Sequence, residues 1–168
     1  MADRSFLNWP FFEAHHRDLA ENLDVWAAEN LRGINHAETD AACRDLVVAL
    51  GRDGWLKHTG GTLDVRTLCL IRETLARHDG LADFAFAMQG LGMGAVSLFG
   101  SDKQRKWLEK TTSGQAVSAF ALSEPKSGSD VANIETTARR KGGTWVLEGE
   151  KTWISNGIKG NCLAVLTK

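Results

Sequence analysis

Apolar residues recur at steps of three and four from about residue 10 to 115, and from about 117 onward they fall into short alternating runs separated by glycines. The change of period predicts two units, helices first and strands second. The clearest helix covers Asp64 to His78: Val65, Leu68, Ile71 and Leu75 share a face, with Asp64 placed as N-cap and Gly80 as a stop. Ala42, Leu46, Val47 and Leu50 repeat the spacing between Asp40 and Leu50, and Gly51 with Gly54 are expected to turn the chain into Trp55. Phe84 to Phe99 is uncharged but shorter than the ~20 residues of a spanning helix, so it reads as a buried helix and no membrane span is expected. Ser101 and Gln104 have capping-box spacing and open a helix whose Trp107 and Leu108 face inward, after a break at Gly100.

Beyond Ser113 and Gly114 the segment IETTARR, the turn Lys141-Gly142-Gly143 and the segment TWVLEGEK read as a hairpin, and CLAVLTK reads as a final strand. A last strand with nothing after it to pair its edge predicts a chain cut inside a domain. The expected fold class is α+β: an all-α N-terminal domain over 1–116, then the first part of a small antiparallel β domain over 117–168. Only Pro10 and Pro125 occur, and there is no repeat or low-complexity linker, so the two units should pack closely.

Composition narrows the functional classes. At 168 residues and 43% hydrophobic content the chain can bury about 70% of its unfolded surface, which excludes a disordered reading. A net charge of −1 supplies no field for nucleic acid or anionic lipid, so a phosphate-bearing ligand must be held locally. Cys43, Cys69 and Cys162 are odd in number and far apart, against both a disulfide framework and a zinc site, and a reduced cytoplasmic compartment is the default expectation. The charged N-terminal stretch lacks the apolar core of a signal peptide.

Several motifs carry little. Gly90-Leu-Gly92-Met-Gly94-Ala95 fits G-x-G-x-x-A, but the preceding ADFAFAMQ is not strand-like, so these glycines are expected to serve helix packing or to leave room for a ligand chain. His15, His16, His36, His58 and His78 lack metal-ligand spacing and are expected on the surface. No nucleophile elbow is present, and Arg139, Arg140 and Lys141 fit a solvated turn better than a nucleic-acid patch.

Two segments carry more. Ser127-Gly128-Ser129-Asp130, inside ALSEPKSGSD, offers consecutive N–H groups and hydroxyls suited to a pyrophosphate. Downstream, GEKTWISNG sets the flat face of Trp153 beside Ser155, Asn156 and Gly157, which suits a planar heteroaromatic ring with polar edges. In this order the motifs resemble those of the acyl-CoA dehydrogenase family, through Ala121, Leu122, Ser123, Glu124, Gly128, Ser129 and Asp130 and then Lys151, Trp153, Ile154, Ser155, Asn156 and Gly157. The segment GSDKQRKWLEK is also typical of the family, and Asn133 departs from its pattern where a small residue is usual.

The resemblance implies FAD as cofactor, an acyl-CoA substrate and oxidation to a trans-2-enoyl-CoA. It further implies electron-transfer flavoprotein as acceptor and a homodimer or homotetramer. The main chain around Phe120, Leu122 and Ser123 would hold the polar flavin edge, Gly128 and Ser129 the pyrophosphate, with Ser129 also near the thioester arm. Trp153 and Ile154 would lie at the ring and Ser155 near N5, while Phe84, Met88 and Leu91, with Phe86 and Gly92, would line the acyl chain. The family's carboxylate base belongs to a C-terminal helical domain expected to be absent from these residues. No catalytic or metal-binding residue is therefore assigned, and Glu124 is read as structural. An acyl-CoA oxidase or flavin monooxygenase on the same scaffold, or a non-catalytic binding module, stand as alternatives.

Overall fold

A computed structural model describes residues 3–168; Met1 and Ala2, where the first expected domain begins, lie outside the described residues. Five helices come first: α1 (Ala14–Asn30), α2 (Thr39–Arg52), α3 (Val65–His78), α4 (Gly80–Phe99) and α5 (Asp102–Thr112). Four short strands follow: β1 (Ser118–Ala121), β2 (Thr137–Lys141), β3 (Thr144–Glu148) and β4 (Cys162–Val165). The helical apolar faces converge on one core containing Leu23, Leu46, Leu50, Leu56, Ile71, Leu75 and Phe86. Full burial of each such side chain contributes about 1.5–3 kcal/mol.

The helix ends follow local chemistry. Asp64 caps α3 by accepting from the Arg66 N–H, and Ser101 with Gln104 form the capping box of α5. Gly80 is not a stop: α3 ends at His78, and the Asp79 carboxylate accepts the N–H groups of Leu81 and Ala82 to start α4 with Gly80 as its first residue. Gly54, with φ +82°, makes the turn into Trp55, whereas Gly51 lies inside α2. The role of Gly51 is closeness, since a Cβ there would fall 2.3 Å from the Gly114 nitrogen.

His16 departs from the expectation of surface histidines. Its side chain is fully buried; Nδ1 accepts the Glu13 N–H at the start of α1, and Nε2 lies 2.8 Å from an Asp64 carboxylate oxygen. Burial is tolerated because both ring nitrogens are hydrogen-bonded, and the contact pins the N-terminus of α1 to that of α3.

At 20 residues α4 exceeds the stretch anticipated for it, and by length and composition alone it could cross a bilayer. Here it is the central helix of the core, touching α2, α3, α5 and β1. Ala85, Phe86, Met88, Gln89, Gly92 and Met93 are buried, and Phe84, Leu91, Leu98 and Phe99 are exposed. Gly92 lets β1 approach, because a Cβ would sit 2.5 Å from Ser118 Oγ.

Antiparallel pairing holds for the β2–β3 hairpin, in register from Thr137 opposite Glu148 to Lys141 opposite Thr144, around Gly142 at φ +62°. β1 and β4 instead pair parallel, from Ser118 opposite Cys162 to Ala121 opposite Val165. The chain leaves β1, forms the hairpin and re-enters alongside, a crossover long enough for parallel strands. Main-chain bonds from Lys168 to Thr136 and from Ala138 to Lys168 tie the hairpin to the β1–β4 pair.

Candidate functional site

In a parallel ladder alternate residues of a strand turn their N–H and C=O toward the same neighbour. Val117 and Ala121 carbonyls accept from the β4 side, from Asn161 and Leu166. The even-numbered residues Ser118, Phe120 and Leu122 therefore point to the other edge, where no strand pairs with β1 among the described residues. That edge is closed at both ends. Ser118 gives its N–H to Gln89 Oε1 (3.1 Å) and accepts from Asn156 Nδ2 (3.2 Å), and the Leu122 carbonyl accepts from Lys151 Nζ at 2.9 Å. Between them the Phe120 N–H and C=O and the Leu122 N–H face outward.

A loop from Lys151 to Asn161 hangs beside this edge, held by Thr152 N–H to the Ser123 carbonyl and by mutual bonds of Val117 and Asn161. Trp153 and Asn156 take φ of 57° and 60°, the left-handed region that bulky residues seldom occupy. Trp153 is 91% exposed, while Ile154 and Ser155 are half-buried. An aromatic ring held off the surface on a strained backbone is a feature that folding alone does not favour.

Glu124 sits at the centre of the construction. Its carboxylate accepts the N–H groups of Glu135 and Thr136 and the Lys151 ammonium at 2.9 Å, with the side chains only 3% and 10% exposed. Glu124 and Lys151 belong to the two separate motifs, so this pair clamps the motifs together. Hydrogen bonds from Thr136, Glu135 and Lys151 outweigh burial and hold the Glu124 carboxyl down at about 2. The pair therefore contributes its full stability above the ordinary glutamate range near pH 4.5 and loses it as pH falls toward 2. Thermal melts of wild type should start to drop below about pH 4.5, and those of Glu124→Gln should drop less steeply. Parallel profiles would remove Glu124 from the acid response.

Between the motifs, Glu124 and Ser127 bridge a tight turn and the Ser127 hydroxyl donates to the Asp130 carbonyl. Gly128 and Ser129 follow on its rim, with Ser129 exposed. Asn133, the departure noted above, donates to the Asp130 carboxylate and ends a single 3-10 turn, Val131–Asn133.

The expected acyl-lining residues do not form one surface. Met88 is buried at the joint, its carbonyl accepting from Ser118 Oγ. Leu91 and Phe86 line an apolar groove of about 410 Å³ with Leu63, Val65, Leu68 and Cys69. Phe84 borders a separate small cavity with Val117, Asn156 and Lys159. His15, His16 and Asp64 bring ligand atoms within 4.8 Å of one another, but both His16 nitrogens are engaged by Glu13 and Asp64. Gln89 and Ser118 escaped sequence reasoning, since neither lies in a recognisable motif; the one available signal was a lone amide in an otherwise apolar helix.

Comparison with known proteins matches residues 13–115 to the family pattern described as "Acyl-CoA dehydrogenase, N-terminal domain" and residues 119–168 to "Acyl-CoA dehydrogenase, middle domain". The chain is 37% identical over 110 residues to the human mitochondrial short-chain specific acyl-CoA dehydrogenase, covering 63% of this chain and 26% of that protein. It therefore spans about a quarter of that relative's length. The crystal structure of glutaryl-CoA dehydrogenase from Mycobacterium smegmatis superposes with a TM-score of 0.82 at 28% identity, over 94% of this chain and 43% of the other. An acyl-CoA dehydrogenase complexed with FAD from Bacillus anthracis gives 0.78 at 30% identity, over 100% and 32%.

Proposed function

Because the chain belongs to the acyl-CoA dehydrogenase family, we propose that it is the flavin-side portion of an enzyme oxidising an acyl-CoA thioester to the trans-2-enoyl-CoA, with FAD as cofactor. The described residues up to 116 are its helical domain and residues 117–168 the first part of its middle β domain. The observation that carries this reading is the open edge of β1, closed at its ends by Asn156 and Lys151 and overlooked by the exposed Trp153. Alternating main-chain donors and acceptors beside an aromatic face fit a planar ring with polar edges.

In this reading the Phe120 and Leu122 main chain and the Ser123 hydroxyl hold the ring's polar edge. Trp153 and Ile154 cover its face, and Ser155 donates near N5. Gly128 and Ser129 hold the pyrophosphate on consecutive N–H groups, which suits a chain with no net positive charge. Phe84, Met88 and Leu91 on α4 flank the acyl chain, with Ser129 near the thioester. When bound, FAD supplies the two-electron acceptor for the hydride leaving the β-carbon. The α-proton requires a carboxylate base, and none is assigned among these residues: Glu124 is consumed by three hydrogen-bond donors and kept ionised. Reoxidation by an electron-transfer flavoprotein and a homo-oligomeric assembly complete the proposal.

The test is the visible spectrum of the natively purified protein and its titration with FAD. Flavin bands, or saturable quenching of added FAD, are the expected result. Fading of those bands with an acyl-CoA is expected for an enzyme that also supplies the base. A colourless protein that leaves FAD emission unchanged would sink the reading.

A further inference from the structure

Gln89 is fully buried in the middle of α4, and its two amide atoms fare differently. Oε1 accepts the Ser118 N–H at 3.1 Å, while Nε2 is buried without a partner among the described residues. An unsatisfied buried donor carries an uncompensated desolvation penalty. A leucine of similar volume would remove that orphan donor but strand the buried Ser118 N–H in its place, so the amide is explained by the bond it makes to Ser118 and not by packing.

The residue that Gln89 holds is shared. Ser118 uses its N–H toward Gln89 and its C=O toward Asn156 Nδ2, so one peptide edge joins the centre of α4 to the loop carrying Trp153 and Ser155. Ser118 Oγ adds a bond to the Met88 carbonyl, and Gly92, one turn on, is what allows the approach. Asn156 is left-handed, and its carbonyl accepts the Gly160 N–H at 2.7 Å. The loop's turn is thereby built on the residue anchored to Ser118. Bonded amides in such a chain also polarise one another.

We propose that Gln89 is a positioning residue for the flavin-edge loop, acting through Ser118 and Asn156 to fix where Trp153 and Ser155 stand. The functional half of this inference rests on the FAD reading above; the structural half does not. In the full-length protein, Gln89→Leu is expected to speed amide hydrogen exchange at Gly157 and Gly160 by about tenfold, from loss of one net hydrogen bond, with α1 and α3 unchanged. The same variant should weaken FAD binding by about tenfold while its melting temperature stays near that of wild type, since a stranded Ser118 N–H replaces the stranded Gln89 Nε2. Loop exchange at the wild-type rate, or acceleration spread evenly through all helices, would overturn the proposal. Should Gln89→Leu fail to fold, Asn156→Gly cuts the same chain at its other end and keeps the left-handed turn accessible; it must reproduce the faster loop exchange, and a wild-type rate there overturns the proposal equally. If wild type itself binds no FAD, the flavin reading falls while the exchange measurement still decides the role of Gln89.

Discussion

Gly51→Ala is expected to lower stability by about 2–3 kcal/mol, even though alanine is the better helix former by about 1 kcal/mol. Gly51 lies within α2, and a Cβ there would fall 2.3 Å from the Gly114 nitrogen, 2.4 Å from the Ser113 carbonyl carbon and 2.5 Å from the Gly114 Cα. All three are backbone atoms, so no side chain can swing aside. Gly114 cannot retreat easily either: it is left-handed at φ +76°, and its own Cα side faces the Val47 carbonyl, which an added Cβ would meet at 2.6 Å. The contact lies where α5 hands the chain to β1, so relief by backbone movement would shift the strand that carries the candidate flavin edge. Gly54→Ala is the control: φ is +82° but nothing lies within 4 Å of an added Cβ, so only the left-handed penalty of about 1–2 kcal/mol applies. Urea unfolding of both variants measures the difference. Gly51→Ala at or above wild-type stability would show that the contact of α2 with the Ser113–Gly114 turn relaxes freely.

Helices α2 to α5, the hairpin, β4 and the caps of α3 and α5 were legible because they are set within a few residues: Asp64 before Arg66, Ser101 before Gln104, Gly142 in the hairpin. What could not be read depended on residues distant in sequence. Gly51 looked like a helix end because glycine usually is one, and only the folded chain reveals Gly114 against it. Gly80 is the local exception: a glycine after a helix reads as a stop, yet the adjacent Asp79 caps the next helix and makes Gly80 its first residue. His16 looked exposed because its partner, Asp64, lies 48 positions away. The parallel β1–β4 pair was hidden for the same reason, since alternation marks a strand without naming its neighbour. At the candidate site the motif residues were visible, whereas Gln89, Ser118 and Asn161, which hold the motif in place, carry no local pattern.

Lys151→Met should raise the FAD dissociation constant by about 10–100-fold, the range expected when hydrogen bonds from a charged group are lost. The ammonium does two things at once: it satisfies the Glu124 carboxylate and it occupies the Leu122 carbonyl at the end of the open β1 edge, each at 2.9 Å. Methionine fills similar space and removes both bonds, leaving Glu124 with only the Glu135 and Thr136 N–H groups in a buried setting. The melting temperature should therefore fall along with flavin affinity. The two effects separate in the double variant Lys151→Met/Glu124→Gln. Neutralising the partner removes the stranded charge, so stability should recover in part, as it does when a buried ion pair is replaced whole and not broken. Flavin affinity should stay low, because the Leu122 carbonyl still lacks its donor and the β1 edge is no longer fixed at that end. Fluorescence titration with FAD, alongside thermal melts of the two variants, reads both quantities. Wild-type FAD affinity in Lys151→Met would mean that the clamp between the motifs serves stability alone, and recovery of affinity in the double variant would place its influence on flavin entirely in the buried charge and not in the strand edge.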